Sequence, residues 1–182
     1  MNSLDSFTLD VVAVLDNLSL RYVIVSGYVA ILFGRSRASE DIDIILEKLD
    51  RQRFHTLWDA LKNNFECIIT SSEEEAYTSE SGLALRFARK DSFIPNIEVK
   101  FPKDSLAYLS LQKRKKVLLN SLPLYIGPLE VQISYKLFLG SEKDIEDARY
   151  LYKLFKSNLN QEILSSANSA LKTAALFRRH LQ

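Results

Sequence analysis

Two aspartates, Asp41 and Asp43, lie one residue apart in the apolar run D-I-D-I-I-L, and Glu98 interrupts a second apolar run, I-P-N-I-E-V-K-F. Side chains two residues apart on a strand point to the same face, about 6.6–6.8 Å apart along the chain. Asp41 and Asp43 therefore place two carboxylates on one face of a strand, while Ile42 and Ile44 face the core. Adjacent carboxylates suit Mg²⁺, and two such ions about 3.5–4 Å apart can hold the attacking and leaving oxygens of a phosphoryl transfer. Glu98 is the candidate third ligand, on a neighbouring strand.

A simpler interpretation of the same acids remains open. For D-x-D alone, a strand face whose carboxylates are merely solvated is the better explanation, because the tripeptide is common. Three acids on two predicted strands, all beside apolar residues, weaken that explanation without excluding it.

The dipeptide Ser26-Gly27 follows the apolar run Y-V-I-V and precedes the short helix predicted over 28–33. Glycine lets a backbone approach a ligand, and a helix N-terminus offers free N–H groups to a phosphate. The alternative is a tight turn in which Ser26 caps the helix. The order of turn, short helix and acidic strand would place a triphosphate beside its metal ions.

These residues must be positioned by alternating strands and helices. Apolar spacing predicts helices over 4–19, 28–33, 50–64, 129–139, 143–157 and 160–181. Strands are predicted at 22–25, 41–46, F-E-C-I-I-T, 83–89 and 94–101, the last two as a hairpin-like pair. Segment 71–82 has loop composition, and 104–126 fits either a helix through Leu109 or strands at V-L-L and L-P-L-Y-I.

The pattern of elements predicts an α/β (α+β) fold, in which helices flank a mixed sheet and a helical bundle follows at the C-terminus. We expect an α/β domain over 1–127 and a helical region over 128–182 packed on it. The late amphipathic helices could bury against that domain or mediate oligomerisation.

Composition sets limits on the environment and on the site. Lys+Arg 24 against Asp+Glu 23 gives a formal charge of +1, which favours no particular partner. Cys67 is the only cysteine, which excludes an internal disulfide and a cysteine-rich zinc site and suits a reducing cytosol. No uninterrupted stretch reaches the roughly 18 apolar residues of a membrane span. We therefore expect a soluble, cytoplasmic protein without a membrane partner.

The stretch V-S-G-Y-V-A-I-L-F-G-R-S-R-A-S-E-D-I-D-I-I-L resembles the signature of nucleotidyltransferases in the DNA polymerase β superfamily, in the subgroup written approximately G-G-x-A, helix, G-x-x-R-x-T-x-D-I-D. In this resemblance Ser26-Gly27 stands for the glycine pair and Ala30 for the small helix residue. Arg37 stands for the arginine and Ser39 for the threonine, and Asp41 and Asp43 stand for the metal-binding aspartates. Serine replaces both the first glycine and the threonine. Relatives more often carry Asp where we place Glu98.

A second stretch, L-E-V-Q-I-S-Y-K-L-F-L-G-S-E-K-D-I-E-D-A-R-Y-L, resembles the helical segment of the same family, in which a lysine precedes a K-D-x-x-D helix. Lys136, Lys143, Asp144 and Asp147 match. Lys136 interrupts an apolar helix, so we expect it to face the cleft and hold the β- or γ-phosphate, with Lys143 also near the nucleotide. For Asp144 and Asp147 we favour a structural role, as a charged first helical turn with Lys143 in a surface ion pair.

The resemblance implies Mg²⁺-dependent transfer of a nucleoside monophosphate from an NTP, such as ATP, to an acceptor hydroxyl, with two ions held by Asp41, Asp43 and Glu98. Glu98 would also help to deprotonate the acceptor. Arg37 would neutralise developing charge or, equally well, brace the acidic strand by an ion pair.

Three interpretations compete for the acceptor. It is RNA or protein, as for toxin-like nucleotidyltransferases of toxin–antitoxin systems, in which case an antitoxin partner is expected. It is a small molecule, as for aminoglycoside nucleotidyltransferases, which an acidic acceptor pocket would favour. Alternatively, the chain is a nucleotide- or partner-binding module without turnover.

Overall fold

The computed structural model describes residues 3–78 and 84–182. Within them, seven strands form one mixed sheet in the order β3-β4-β5-β2-β1-β7-β6. The strands are β1 (Tyr22–Val25), β2 (Asp41–Leu46), β3 (Phe65–Cys67), β4 (Leu85–Arg89), β5 (Asn96–Lys100), β6 (Lys115–Leu119) and β7 (Leu122–Ile126). The mixed α/β fold predicted from the sequence is confirmed.

The helices follow the predicted order with three differences, which concern segment 104–126, helix α4 and the last predicted helix. They are α1 (Ser3–Asn17), α2 (Gly27–Leu32), α3 (Arg51–Leu61), α4 (Glu73–Thr78), α5 (Ser105–Gln112), α6 (Leu129–Leu139), α7 (Glu142–Phe155), α8 (Gln161–Ala170) and α9 (Ala174–Leu181). Segment 104–126 contains a helix and two strands, so each of the two alternatives for it was partly right.

Two of the element predictions were wrong. The loop predicted over 71–82 contains α4, whose first turn carries Glu73, Glu74 and Glu75, and acids there favour the positive end of the helix dipole. Residues 79–83 lie outside the described part of the chain, so the ends of the predicted loop and strand that fall there are untested. The single helix predicted over 160–181 is two helices, because Lys172 adopts a positive φ of 56° and the Thr173 N–H bonds back to the Asn168 carbonyl.

The strand pairing explains why β2 carries acids on one face. It runs antiparallel to β1 and parallel to β5, and these two neighbours place it near the middle of the sheet. Ile42, Ile44 and Leu46 are fully buried, whereas Asp41 and Asp43, which alternate with them, are only partly buried. One face of β2 therefore belongs to the core, and the other is accessible for chemistry.

Two apolar clusters make up the core. The larger one packs α1 and α3 against the sheet through residues such as Phe7, Ile24 and Phe54. The second is built by the helices after β7 and includes Ala30 of α2 together with Ile133, Leu137, Leu151, Leu164 and Phe177. The late helices thus bury against the rest of the chain through this cluster. The domain boundary at 127/128 stays a prediction.

No helix in the described residues is both long and apolar enough to cross a membrane.

Candidate active site

The three acids singled out in the sequence lie on one face of the sheet. Asp43 of β2 is the register partner of Glu98 on the parallel strand β5, and Asp41 pairs with Asn96. The side chains of Asp43 and Glu98 are each 14% exposed. The Ser39 hydroxyl lies 3.2 Å from Oδ1 of Asp41 and 3.1 Å from its backbone oxygen, so Ser39 orients this carboxylate.

A lysine that the sequence analysis did not consider joins two of these acids. Lys100 Nζ lies 2.8 Å from Oδ1 of Asp43 and 3.0 Å from Oε1 of Glu98. Burial lowers the pKa of Lys100, but the two carboxylates outweigh it and hold the pKa above its usual value. Arg86 of β4 approaches Glu98 from the other side, with Nη2 3.0 Å from Oε2. Lys100 lies two residues after Glu98 and hence on the same face, which is the signal that could have revealed it.

The acidic face fits a hard cation by the kind of donor it offers. Its side chains present carboxylate oxygens, the ligands that Mg²⁺ prefers, and Asp43 and Glu98 already share one positive group. Across residues 3–78 and 84–182, however, no three Asp, Glu, His or Cys side chains are grouped closely enough to hold a metal ion. Asp43 and Glu98 meet at the Lys100 ammonium instead.

Ser26 occupies the N-cap position of α2, but its side chain does not cap the helix. Its backbone has φ 67° and ψ −139°, and its side chain makes no capping hydrogen bond, so the capping alternative was wrong. The Ser26 N–H instead donates to Oε1 of Gln132 on α6 at 2.9 Å. This conformation is one that glycine adopts far more readily than serine. Serine at position 26 therefore holds a strained backbone conformation.

Gly27 makes room for Arg37. A Cβ at position 27 would lie 2.9 Å from both terminal nitrogens of the Arg37 guanidinium, closer than real side chains approach. The guanidinium is held against the start of α2 and is only 9% exposed. The small residue at position 27 is explained by this contact.

Asp147 of α7 is the centre of a second charge network. It is fully buried, accepts hydrogen bonds from Arg35 and Arg37, and forms an ion pair with Lys136, whose Nζ lies 3.0 Å from Oδ2. Buried charges of this kind are stable only when they are paired. The network joins the loop before β2 to helices α6 and α7.

This arrangement corrects two predictions. Arg37 does form an ion pair, but its partner is Asp147 of α7 and not the acidic strand. Asp147 is not in a solvated first turn either, and Lys143 is exposed, with its backbone carbonyl accepting from Arg35 at 3.2 Å. Arg35 also pairs with Glu146. Asp147 could not be distinguished from the neighbouring acids by sequence alone, because burial of this helix face depends on tertiary packing.

Lys136 lies inside this network and close to the acidic face. Its side chain is 3% exposed, and Nζ is 2.6 Å from Oδ1 of Asp144. Burial lowers the pKa of Lys136 more than the bond to Asp144 raises it, and the negative charge of Asp43 also acts on it. Burial raises the pKa of Asp144, but hydrogen bonds from Lys136 and Ser141 outweigh it and keep that pKa below its usual range. The two networks are therefore electrostatically coupled.

Comparisons with solved structures identify the fold. The chain superposes on the antibiotic-resistance factor ANT(2'')-Ia, solved as a crystal structure with adenylyl-2''-tobramycin, with a TM-score of 0.62 at 13% identity over 94% of this chain and 98% of that one. A solution structure of the same factor gives 0.62 at 14% identity, over 98% and 97% of the two chains. The chain has the nucleotidyltransferase fold.

An antigenic nucleotidyltransferase-like protein from Paracoccidioides brasiliensis shares this nucleotidyltransferase fold, with a TM-score of 0.56 at 18% identity over 99% of this chain and 93% of that one. No protein-family model matches the sequence, and no curated protein matches it. The nucleotidyltransferase fold is thus established by shape, at identities too low to carry over a substrate.

Proposed function

We propose that this chain is a Mg²⁺-dependent nucleotidyltransferase that moves a nucleoside monophosphate from an NTP to an acceptor hydroxyl. The observation that carries the proposal is the pairing of Asp43 with Glu98 across two parallel central strands, with Asp41 on the same face. The D-x-D pair of the sequence, Asp41 and Asp43, thus lies with Glu98 on one face of the sheet.

In the proposed reaction the acceptor oxygen forms a bond to the α-phosphorus, and the bond from that phosphorus to the β-phosphate bridging oxygen breaks. Pyrophosphate leaves with the electron pair, and Glu98 accepts the proton of the acceptor hydroxyl. Ser39 keeps the Asp41 carboxylate oriented through its hydroxyl contact. The fixed positions of these groups on strands lower the entropic cost of bringing the reactants together.

Asp41, Asp43 and Glu98 would hold the magnesium ions, with ATP or another NTP as the partner ligand. The ions would supply charge neutralisation for the phosphates and the leaving pyrophosphate. Asp41 and Asp43 supply donors from one strand, and Glu98 supplies its donor from the next.

The nucleotide phosphates would meet the backbone of Ser26-Gly27 and the positive groups beside it. Arg37 stands at that turn, in contact range of Gly27, while Lys143 is exposed at the start of α7. Lys136 would reach a phosphate only by leaving Asp144, because its side chain is 3% exposed and already paired. Lys136→Met should raise the nucleotide dissociation constant, and an unchanged constant would remove Lys136 from the nucleotide site.

For the acceptor we favour a macromolecule, RNA or protein, with RNA first. The groups that border Glu98 on its strand and on the neighbouring strand are cations, Arg86 and Lys100, each 44% exposed. Positive groups at this border suit a polyanion and disfavour a polycation. The free cysteine Cys67 and the NTP substrate support a cytoplasmic location.

A small-molecule acceptor is the second candidate. It is favoured by the likeness in shape to ANT(2'')-Ia, which extends over 94% of this chain and 98% of that one. An aminoglycoside acceptor would need acidic groups near the acceptor end of the site, whereas the border of Glu98 is basic.

The test is transfer of label from α-³²P-NTPs, each supplied separately with Mg²⁺, to a panel of tRNA, protein and aminoglycosides. We expect label on one macromolecular class and release of unlabelled pyrophosphate. Asp41→Asn and Asp43→Asn should abolish transfer and leave the circular dichroism spectrum unchanged. Asp59→Asn, an exposed change on α3, is the matched control and should retain activity.

Retained transfer in both site variants would refute the assignment of the acidic face. Label on aminoglycosides alone would select the second candidate. Nucleotide binding without transfer to any acceptor would favour the non-catalytic module.

A further inference from the structure

Lys100 lies at the point where two of the proposed metal ligands meet. Its ammonium contacts the Asp43 oxygen at 2.8 Å and the Glu98 oxygen at 3.0 Å, so a single positive charge neutralises part of the carboxylate pair. The two oxygens face each other across the β2–β5 register. A divalent ion bound by both carboxylates would use the same oxygens.

We propose that Lys100 is an internal competitor for the divalent cation at Asp43 and Glu98, which sets how tightly this site binds metal. This inference rests on the proposed function, because it takes the acidic face to be a metal site. The ammonium must leave before both carboxylates can coordinate an ion, and the metal affinity is reduced by the stability of the lysine contacts.

The surroundings of Lys100 allow that exchange. Its side chain is 44% exposed, so the flexible four-carbon stem can turn towards water without disturbing the core. Arg86 contacts Oε2 of Glu98, whereas Lys100 contacts Oε1. When Lys100 leaves, Arg86 still holds one oxygen of Glu98 and keeps the other directed towards Asp43. Arg86 therefore orients the carboxylate, and Lys100 occupies the position between the carboxylates.

The contrast between these two cations makes the proposal testable. Lys100→Gln and Arg86→Gln each remove one positive charge next to Glu98, but only the first removes a contact with Asp43. Lys116→Gln, on strand β6 at the far edge of the sheet, makes the same change in net charge at a distance.

The experiment measures Mn²⁺ binding to the whole chain, without nucleotide, from the electron paramagnetic resonance signal of the free ion. We expect Lys100→Gln to lower the Mn²⁺ dissociation constant by about tenfold, since it removes two charge-assisted hydrogen bonds at a half-exposed position. Arg86→Gln should change it by less than about threefold, because Arg86 contacts the Glu98 oxygen that Lys100 does not use and leaves the position between the carboxylates occupied by Lys100. Lys116→Gln should leave it unchanged.

Three results would overturn the proposal. An unchanged or weaker Mn²⁺ affinity in Lys100→Gln would mean that the lysine does not compete. Equal tightening in Arg86→Gln would mean that overall charge, and not occupancy, sets the affinity. Equal tightening in Lys116→Gln would point to charge effects unrelated to the site.

The outcome separates this proposal from the proposed function. If the wild type binds Mn²⁺, Asp43→Asn abolishes binding and Lys100→Gln has no effect, the metal site stands and the competitor role fails. If neither the wild type nor Lys100→Gln binds Mn²⁺ at millimolar concentration, both fail together.

Discussion

Asp147→Asn tests whether the ion pairs of Asp147 stabilise the packing of α7 against the loop before β2. The Asp147 carboxylate is fully buried and faces Arg35, Arg37 and Lys136, whose side chains are 14%, 9% and 3% exposed. The change to Asn keeps the size of the side chain and removes its charge. The buried Lys136 and the partly buried Arg35 and Arg37 are then left with one fewer anion, and Asp144 and Glu146 are the acids that remain beside them.

The expected loss follows from this burial. Removing one partner of a buried ion pair costs about 3–5 kcal/mol, because the remaining charge stays desolvated. With an m value of about 2–3 kcal/mol/M, the midpoint of urea unfolding should fall by about 1–2.5 M. Glu146→Gln is the matched control one residue earlier. Glu146 is 54% exposed and pairs with Arg35 alone, so its loss should cost at most about 1 kcal/mol.

The assay is urea unfolding of both variants and the wild type, followed by circular dichroism and by Trp58 fluorescence. Trp58 packs against the larger apolar cluster, whereas α6 to α9 build the second cluster, so coincident transitions would show that the whole chain unfolds together. A midpoint shift for Asp147→Asn no larger than that for Glu146→Gln would refute the network as the source of this stability.

Three further changes test the turn and the charges around it. Ser26→Gly should raise the free energy of unfolding by about 1 kcal/mol, because φ 67° and ψ −139° strain a serine. Ser36→Gly, in the loop after α2, should not raise it. Equal effects of the two changes on urea unfolding would contradict the strain. Gly27→Ala should lower the free energy of unfolding by about 1–3 kcal/mol, because the added Cβ would displace the Arg37 guanidinium. In an Arg37→Ala background the same change should have little effect. A loss of stability that persists in the double variant would show another cause. Asp144→Asn should lower the free energy of unfolding at pH 7, because the Asp144 carboxylate has a lowered pKa in the folded protein. The difference in this free energy between variant and wild type should narrow as the pH falls below about 4, where the carboxylate takes up a proton and loses its stabilising charge. An unchanged difference in urea unfolding at pH 3 would exclude this linkage.

Local patterns predicted most of the fold because they record burial directly. The bounds of β1, β2 and α6 were predicted to the residue, since each is an apolar or alternating run ended by a turn. The break between α8 and α9 could not be predicted in this way. It depends on Lys172 at a positive φ, in a sequence with neither Gly nor Pro at that point. The helix α4 was missed because its acids, and the serines that precede it, also suit a loop.

The acidic face was predictable and its counter-charges were not. Asp41 and Asp43 lie two residues apart on a strand and therefore share a face. Glu98 was placed beside them by predicting that its strand is a neighbour of β2. The partners of these groups depend on which strands are neighbours. Arg86 meets Glu98 because β4 pairs with β5, and Lys100 meets Asp43 because β5 pairs with β2. Such contacts require the sheet order, which a single sequence does not contain.

The short helix α2 links the two apolar clusters and leads into the proposed site. The short helix α2 contributes Val29 to the larger cluster and Ala30 to the second, so it is held from both sides. The loop that follows it sends Arg37 to Asp147 on α7 and continues directly into the acids of β2. A shift of α7 would therefore move Arg37 and Lys136 relative to Asp43, although α7 itself contributes no proposed metal ligand. Residues of α7 should accordingly affect nucleotide affinity through Asp147, whereas we propose that Lys100 of β5 sets the metal affinity.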